Sequence, residues 1–480
     1  MARFAGRAPG RPFADDYDRG FSRGGPRAAE AAALLRRPGA VTTYLDAVRG
    51  SLRPDGDTVT EVREQREAVI DRLRAGWQRR GGRGLEVVQN ARDADVFPVE
   101  GELLATPGTW RELQDDPRAA GVAEVPLGHP ELAGRLVRLR RTARPDEPHL
   151  HDLVRAWREE GLVVSLSYVT PLAGRPIMKP YTGEFEPEVV DFASYRTVGP
   201  RHGEGTVVAV VDTGITAEVR DDGWLTTIPR VTADDVSTHW HDGNVDPLDA
   251  DPKDGLLDVF AGHGTFVAGI VARVAPGAEI RVYRAVGPGG AGSELDVACA
   301  LVRAVREGAD VVNLSLGTQT LFDEPSLSMS VALDLVADIE EDTGRRVVVV
   351  AAAGNYGDEG LTWPAAFRRV VAVGGLTADL RPTTWSSRGP WVDVSAVGEG
   401  IVSTYVQGER NPAFGKGTRF GPGAFASWVG TSFAAPQVSG AVARTMTELG
   451  VTGPEAVDAL LAAGTPVAGF GKALRILPGA

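Results

Sequence analysis

From residue 205 onward, short runs of apolar residues alternate with longer segments whose apolar residues recur every three or four positions. Short apolar runs are typical of strands buried on both faces, and the longer periodic segments are typical of helices. The alternation predicts an α/β fold in which a parallel sheet carries helices on both faces. The predicted strands cover 206–211, 280–285, 310–316, 346–352 and 370–373, and the predicted helices lie near 264–274, 293–307, 326–341 and 433–448.

Residues 99–172 carry a different alternation of strand and helix patterns. The order is βαββαβ, which predicts a small α+β domain of the ferredoxin-like type. Its predicted strands cover 102–106, 122–127, 134–140 and 162–169, and its predicted helices cover 107–119 and 149–160.

The first 98 residues resemble neither domain. Residues 1–25 are rich in Arg, Gly, Asp and Pro and are predicted to be disordered. Residues 26–98 are predicted to be a helical extension, because two sets of apolar residues keep helical spacing with Arg and Glu on the opposite face. The sets are Val41, Tyr44, Leu45, Val48 and Leu52, then Val62, Val69, Ile70, Leu73 and Trp77. This extension is either a cap on the next domain or an adaptor for a partner protein.

Residues 173–200 separate the two predicted domains. Their proline and glycine content predicts a linker, which leaves residues 201–480 for the α/β domain.

Composition narrows the choice of partner and compartment. The formal net charge of −13 argues against nucleic acid as the main partner. The first 25 residues contain no apolar signal region, and no segment reaches the roughly 18 apolar residues of a membrane span. We therefore expect a cytoplasmic protein without a membrane partner. The single cysteine, Cys299, cannot form an internal disulfide and is interpreted as a small buried apolar residue.

The octet from Gly430 to Gln437 reads Gly-Thr-Ser-Phe-Ala-Ala-Pro-Gln and predicts a tight turn that leads into a helix. Pro436 is expected in the first helical turn, where a missing N–H costs nothing. Ser432 would then lie at the positive end of the helix dipole, which stabilises developing negative charge. A serine nucleophile needs a histidine base and a carboxylate that orients the histidine.

Three other blocks supply suitable side chains. His263 lies between Gly262 and Gly264 at a predicted helix start. Asp212 ends the apolar run 207–211, and Asn355 follows a second apolar strand and Gly354. Residues at the carboxyl ends of parallel strands meet at one edge of the sheet, where they could act together.

These four blocks resemble those of the subtilisin-like serine peptidases, the subtilase family. The resemblance covers roughly residues 200–450 and implies a serine endopeptidase that acts on protein or peptide substrates. It implies that Ser432 attacks the carbonyl, His263 takes the proton and Asp212 orients His263. Asn355 and the N–H of Ser432 would hold the oxyanion.

The resemblance also assigns substrate-binding segments. One segment would pair with the substrate backbone upstream of the cut, and two others would form the walls of the pocket for the residue before the cut. The first is Gly290, Ala291 and Gly292, and the walls are Ser315, Leu316 and Gly317, then Ala352, Ala353 and Gly354. Small walls favour a sizeable apolar residue in this pocket, whose floor is expected near 363–365.

Subtilase propeptides share the βαββαβ order, so residues 99–172 are interpreted as a propeptide-like chaperone or inhibitor of a zymogen. Self-processing would then cut within the segment that links the two domains. The alternative is a small regulatory domain that remains attached.

No cofactor is required by this chemistry, and no metal ligands are assigned. The acidic stretch before His263 could bind calcium, but it lacks the glycine-centred loop of a calcium-binding hand, so a solvated loop is favoured. It contains Asp242, Asp246, Asp249, Asp251, Asp254 and Asp258. Two rival functions stay open: a catalytically silent binding or scaffold protein, and a dedicated processing protease recruited to one partner through residues 26–98.

Overall fold

The computed structural model describes most of the chain from residue 85 onward. The described ranges are 85–142, 148–171, 201–220, 244–250, 253–412 and 417–477, with residues 67, 70, 71, 73–78, 82, 84, 188, 189, 225 and 228. The predicted disorder of 1–25, most of the helical extension 26–98 and most of the linker 173–200 lie outside the described residues. None of the described helices could span a lipid bilayer.

Residues 85–171 form a compact unit, called here the N-terminal unit. Its strands are β1 (Val88–Gln89), β2 (Asp95–Val96), β3 (Pro98–Ala105), β4 (Val122–Val125), β5 (Val137–Arg141) and β6 (Val164–Pro171). Its helices are α1 (Pro107–Leu113) and α2 (Leu150–Glu159), with 3-10 turns at Pro117–Ala119 and Pro130–Leu132. Strands β3 to β6 make an antiparallel sheet in the order β6-β3-β5-β4, and the predicted βαββαβ order is present.

The core of the N-terminal unit follows from the alternation of its strands. Leu103 of β3, Leu139 of β5 and Trp157 of α2 are fully buried in one apolar cluster. The helix α1 begins after Thr106, whose hydroxyl accepts a hydrogen bond from the N–H of Thr109.

The described part of residues 26–98 is only partly helical. Positions 70, 71 and 73–78 are helical, and Ile70, Leu73 and Trp77 are buried on the predicted apolar face. Residues 85–98 are extended instead, because Leu85 bridges Val99 and β1 pairs with β2. These extended residues belong to the N-terminal unit, so the structure corrects the predicted helical character of that stretch.

Residues 201–477 form the larger C-terminal unit, whose main sheet has eight strands. They are β8 (Val207–Asp212), β9 (Glu279–Arg284), β11 (Val311–Leu314), β12 (Val348–Ala352), β13 (Val370–Leu376), β14 (Val394–Val397), β19 (Thr465–Val467) and β20 (Gly471–Ala473). The order is β19-β20-β14-β13-β12-β11-β8-β9, and every neighbouring pair is parallel except β19 with β20. The five predicted strands are present; β14, β19 and β20 were not predicted.

Helices cover both faces of this sheet, as predicted. They are α3 (His263–Val274), α4 (Glu294–Arg306), α5 (Leu327–Thr343), α6 (Thr431–Leu449) and α7 (Gly453–Ala463). Alternate residues of β8 face opposite sides: Val208 and Val210 pack in the cluster of α3 and α6, whereas Ala209 and Val211 pack in that of α4 and α5. Burial on both faces explains why the strands read as continuous apolar runs.

Smaller strands complete the structure. They are β7 (Glu188–Val189), β10 (Ala291–Ser293), β15 (Ile401–Thr404), β16 (Gly408–Glu409), β17 (Arg419–Phe420) and β18 (Phe425–Trp428). Strand β10 pairs antiparallel with β6, so that Gly292 lies opposite Thr170 and Ser293 opposite Val169. The sheet of the N-terminal unit therefore extends into the C-terminal unit.

Candidate active site

Asp212 and His263 are in direct contact, although 50 residues of sequence lie between them. The Nδ1–H of His263 donates to Oδ1 of Asp212 at 2.7 Å, and the same oxygen accepts the N–H of Thr213 at 2.7 Å. Asp212 is the last residue of β8 and is completely buried. The contact fixes the imidazole so that its Nε2 faces away from the carboxylate, and Nε2 is free to act as a base.

The position of His263 follows from the start of α3. Gly262 precedes the helix with φ of +77°, a left-handed conformation that favours glycine. A Cβ atom on Gly264 would lie 2.2 Å from the carbonyl oxygen of Gly214, so a side chain there would separate α3 from the strand end that carries Asp212. Aromatic rings enclose the imidazole, with Phe433 and Trp428 at centroid distances of 5.3 and 5.5 Å.

Ser432 is the second residue of α6, after Gly430 with φ of +153°. Pro436 lies in the second turn of this helix, not in the first, so its missing N–H does matter. In a regular helix that N–H would bond to the carbonyl of Ser432. The hydroxyl of Ser315 replaces it and donates to the Ser432 carbonyl at 2.7 Å.

The hydroxyl of Ser432 donates in return to the carbonyl of Ser315 at 3.1 Å. Ser315 itself is held by Asn313, whose amide donates to the Ser315 hydroxyl at 2.9 Å. The two serines therefore exchange hydrogen bonds, and the Ser432 hydroxyl points to Ser315 rather than to His263. Rotation about χ1 would redirect it, and loose catalytic contacts are common in unliganded sites.

Asn355 follows β12 and Gly354, on the side of Ser432 where α6 begins. Its Oδ1 accepts the N–H of Thr431 at 3.0 Å and the Thr431 hydroxyl at 2.9 Å. Because the oxygen is occupied, the amide nitrogen, which lies beside Gly430, is the group left to bind a ligand. This side chain is partly exposed, whereas its neighbours Gly354 and Tyr356 are buried. Its amide N–H groups can therefore serve a bound oxyanion.

A second carboxylate, that of Asp246, bonds to residues next to Asp212 and His263. It was not predicted to belong to the site. Its Oδ2 accepts the Thr213 hydroxyl at 2.7 Å and the N–H of Gly262 at 2.9 Å. The Thr213 hydroxyl accepts the N–H of Gly264 at 3.0 Å. Asp246 thus joins the residue after Asp212 to the two residues that flank His263. Burial, with the nearby Asp212 carboxylate adding to it, raises the pKa of Asp246 to about 6 despite these hydrogen bonds.

Sequence reasoning missed Asp246 because it treated the whole acidic stretch as one solvated loop. The available signal was its apolar neighbour Val245, which bridges Ile215 next to the end of β8. Three others of the stretch bind main-chain N–H groups: Asp249, Asp254 and Asp258. Asp242 and Asp251 lie outside the described residues. Within the described ranges, no group of three or more His, Cys, Asp or Glu could hold a metal ion.

The structure brings the two predicted pocket walls together beside Ser432. A Cβ atom on Gly317 would lie 3.8 Å from the carbonyl oxygen of Ala352, so the segments 315–317 and 352–354 approach each other closely. The third predicted segment, 290–292, pairs with a strand of this chain and is not open to a substrate. Ala291 and Gly292 belong to β10, which pairs with β6 of the N-terminal unit, and Gly290 lies in the turn before it with φ of +87°.

Comparison with known proteins places this geometry in a family. The sequence model of the subtilase family matches residues 203–471 of this chain. Subtilisin Savinase of Lederbergia lenta is 32% identical over 253 residues, which cover 50% of this chain and 76% of that protein. The alkaline protease of Alkalihalobacillus alcalophilus is also 32% identical over 253 residues, but only 54% of its own length is covered. This chain thus spans about half of that relative.

Among solved structures, fervidolysin of Fervidobacterium pennivorans, a keratinolytic enzyme related to subtilisin, has a similar fold. The TM-score is 0.50 at 20% sequence identity, and the match covers 79% of this chain and 60% of that one. The family match covers more than half of the chain and includes Asp212, His263, Asn355 and Ser432. The chain belongs to the subtilase family of serine peptidases.

Proposed function

We propose that this protein is a serine endopeptidase in which Ser432 is the nucleophile, His263 the general base and Asp212 the residue that orients His263. The observation that carries the proposal is the 2.7 Å hydrogen bond between His263 and Asp212 in a fully buried setting. With Nδ1 committed to the carboxylate, Nε2 takes the proton of Ser432 as its oxygen attacks the substrate carbonyl. The imidazolium then donates this proton to the leaving amine, and water hydrolyses the acyl intermediate.

Two donors would stabilise the oxyanion formed in this attack. One is the amide nitrogen of Asn355, whose oxygen is held by Thr431. The other is the main-chain N–H of Ser432, which lies in the first turn of α6 and has no acceptor within the helix. Such donors are most effective where they are fixed in advance, and removal of one costs about 10²- to 10³-fold in kcat.

A fluorophosphonate probe and a peptide substrate test this proposal. Wild-type protein should be labelled at Ser432, and Ser432→Ala should not. Asn355→Ala should retain labelling at a reduced rate and lose about 10²- to 10³-fold in kcat. Ser395→Ala, a buried serine of β14 that donates to the Phe470 carbonyl, is the control outside this hydrogen-bond network and should still be labelled. Absence of labelling in folded protein whose N-terminal 200 residues have been removed, by self-processing or by an added protease, would favour a silent scaffold.

We further propose that the N-terminal unit inhibits the enzyme while attached, in the manner of a propeptide. The supporting observation is the pairing of β6 with β10, the strand that the resemblance assigns to the substrate backbone. A substrate cannot add to an edge that is already paired. Expression of wild-type and Ser432→Ala chains, followed by sequencing of new N-termini, tests processing. Cleavage of both chains to the same extent would exclude self-processing, and absence of cleavage in both would favour a regulatory domain that remains attached.

A further inference from the structure

A chain of buried polar side chains joins β11 to the start of α6. Ser439 donates to Oδ1 of Asn313 at 2.9 Å, and the amide of Asn313 donates to the Ser315 hydroxyl at 2.9 Å. The Ser315 hydroxyl in turn donates to the carbonyl of Ser432 at 2.7 Å. The Ser439 hydroxyl also lies 3.2 Å from the carbonyl of Ala435. Ser439, Asn313 and Ser315 are completely buried and are called here the Asn313 network.

The Asn313 network serves a carbonyl that α6 cannot serve by itself. In a regular helix the N–H four residues later would bond to the Ser432 carbonyl, but residue 436 is a proline and has no N–H. A buried carbonyl without a partner is unfavourable, so another donor has to replace the missing one. Ser315 supplies it from the end of β11.

The Ser432 carbonyl fixes the direction of every hydrogen bond in the network, because a carbonyl can only accept. Ser315 has a single hydroxyl proton and uses it on this carbonyl. The Ser315 oxygen must then accept from Asn313, so the amide nitrogen of Asn313 faces Ser315 and its oxygen faces Ser439. An ionised carboxylate at position 313 would have no proton to donate. It would accept the Ser315 proton instead and leave the Ser432 carbonyl without a donor.

Ser315 contacts Ser432 at two atoms. The Ser432 hydroxyl donates to the Ser315 carbonyl at 3.1 Å, and the Ser315 hydroxyl holds the Ser432 carbonyl. A held carbonyl limits rotation about the Cα–C bond of Ser432, so its Cα–Cβ bond keeps one direction relative to α6. The position of the attacking oxygen depends on this direction, and small misplacements of a reacting group are costly.

We propose that Asn313 is a positioning residue of the peptidase, which acts through Ser315 on Ser432 and compensates for Pro436. Ser439 orients the Asn313 amide in turn. The inference rests on the proposed serine endopeptidase function and adds to it two residues that act only through other side chains. A proline in the second turn of α6 is compatible with an ordered nucleophile because the network supplies the hydrogen bond that proline lacks.

Asn313→Asp tests the direction of these hydrogen bonds with almost no change in shape. Kinetics on a peptide substrate, with the full chain processed by itself or by an added protease, should show a loss of about 10- to 100-fold in kcat. KM should change little, because the nucleophile is misplaced and the substrate contacts are not. Ser395→Ala, outside the network, should keep wild-type kinetics. Wild-type kcat in folded Asn313→Asp would overturn the proposal.

Pro436→Ala separates positioning from a mere contribution to packing. Alanine restores the N–H that bonds to the Ser432 carbonyl in a regular helix, so this carbonyl no longer depends on Ser315. The loss in kcat caused by Asn313→Asp should therefore be at least about tenfold smaller in Pro436→Ala than in wild type, since coupled residues are not additive. A residue that only fills space would cause the same loss in both backgrounds, and that result would contradict the proposal.

Fluorophosphonate labelling of Ser432 distinguishes failure of this inference from failure of the proposed function. If processed wild type is labelled and the two losses are equal, the peptidase function stands and the positioning role of Asn313 is wrong. If processed wild type is not labelled, the peptidase function fails and this inference fails with it. Circular dichroism checks the folding of each variant. Asn313→Ala, which removes the amide without adding a charge, replaces Asn313→Asp if the aspartate variant does not fold, and the same rescue by Pro436→Ala is expected.

Discussion

The surroundings of His263 and the interface between the two units are built from different interactions. Around His263, buried carboxylates bond to main-chain N–H groups and to a hydroxyl, and among the described residues no cation contacts Asp246. At the interface, ion pairs and carboxylate contacts accompany the pairing of β6 with β10 and the packing of Leu104, Leu132 and Leu136 against α4 and α5. The ion pairs and carboxylate contacts are Arg92 with Asp323, Arg135 with Asp338, Arg158 with Glu324, His129 with Asp296, and the N–H of Tyr168 with Glu294.

Because the interactions differ, salt should affect the site and the interface differently. Uncharged donors on strand and helix ends hold the site in one geometry, and that geometry changes little with salt. Ion pairs at a surface are weak, and salt screens them further. Apolar contact adds to the interface where Leu321 of the C-terminal unit joins the cluster of Leu103 and Trp157. Salt should therefore weaken the ion pairs of the interface and have little effect on the hydrogen bonds around His263.

Asp212→Asn should have the largest effect on activity and almost none on the interface. An amide at this position favours the wrong tautomer of His263, which costs about 10⁴-fold in kcat in a serine triad. Steady-state kinetics on a peptide substrate measures the loss. Amide hydrogen exchange of β6 should remain as in wild type. A loss of activity below tenfold would show that His263 is not oriented through Asp212.

Asp246→Asn should lower kcat by roughly 10- to 100-fold with little change in KM. The variant would misplace the residues that flank His263, but it would not remove a group that reacts with the substrate. Asp249→Asn is the matched control in the same stretch, since the Asp249 carboxylate accepts the N–H groups of Asp254 and Gly255, away from His263. Equal kinetics for the two variants would contradict a positioning role for Asp246.

The raised pKa of Asp246 also predicts a dependence of stability on pH. The pKa of Asp246 rises on folding from 3.8 to about 6, so the folded state binds more protons than the unfolded state between these pH values. The stability that this protonation contributes is lost as the pH rises. From pH 4 to pH 7 the free energy of unfolding of wild type should fall relative to that of Asp246→Asn by on the order of 3 kcal/mol. Urea unfolding at both pH values measures this difference.

The interface should hold less tightly at pH 8 than at pH 5. Burial raises the pKa of Glu294 to about 7 although Ser326, Ser328 and the N–H of Tyr168 donate to it, and the carboxylate of Glu102 acts in the same direction as burial. Burial lowers the pKa of His129, but the hydrogen bond to Asp296, its charge and the Leu127 carbonyl outweigh this effect and raise the pKa. Both groups bind protons more tightly when the units are in contact, so contact weakens as the pH rises.

Amide hydrogen exchange of β6, corrected for the intrinsic pH effect, measures this contact. Exchange should be about tenfold faster at pH 8 than at pH 5, and Glu294→Gln should reduce that ratio because it removes one of the two linked protons. A ratio unaffected by Glu294→Gln and by His129→Gln together would show that neither group governs the interface.

Arg135→Ala should have the smallest effect. The side chains of Arg135 and Asp338 are 53% and 49% exposed, and exposed pairs contribute at most about 1 kcal/mol. Urea unfolding and the exchange of β6 should both stay close to wild type. A strong effect would mean that this pair, and not the buried contacts of Glu294 and His129, holds the units together.

The periodic elements were predictable because they depend on local sequence. Each predicted strand of the main sheet is present, and α3 begins at His263 one residue before its predicted start. Strands β14 and β19 were missed because they are only four and three residues long and lack a distinctive apolar run. The turn of helix that holds Pro436 was misplaced because no local signal shows that Ser315, 117 residues earlier, would supply the missing hydrogen bond.

The sequence by itself determined the family and the fold, because both are written in short blocks whose spacing and apolar period are visible without coordinates. Only the tertiary structure decided that the segments 315–317 and 352–354 approach each other, that Asp246 bonds to the residues beside His263, and that β6 pairs with β10. Each of these depends on a distance between segments that are far apart along the chain. Such distances follow from strand order and close packing, and no local pattern encodes them.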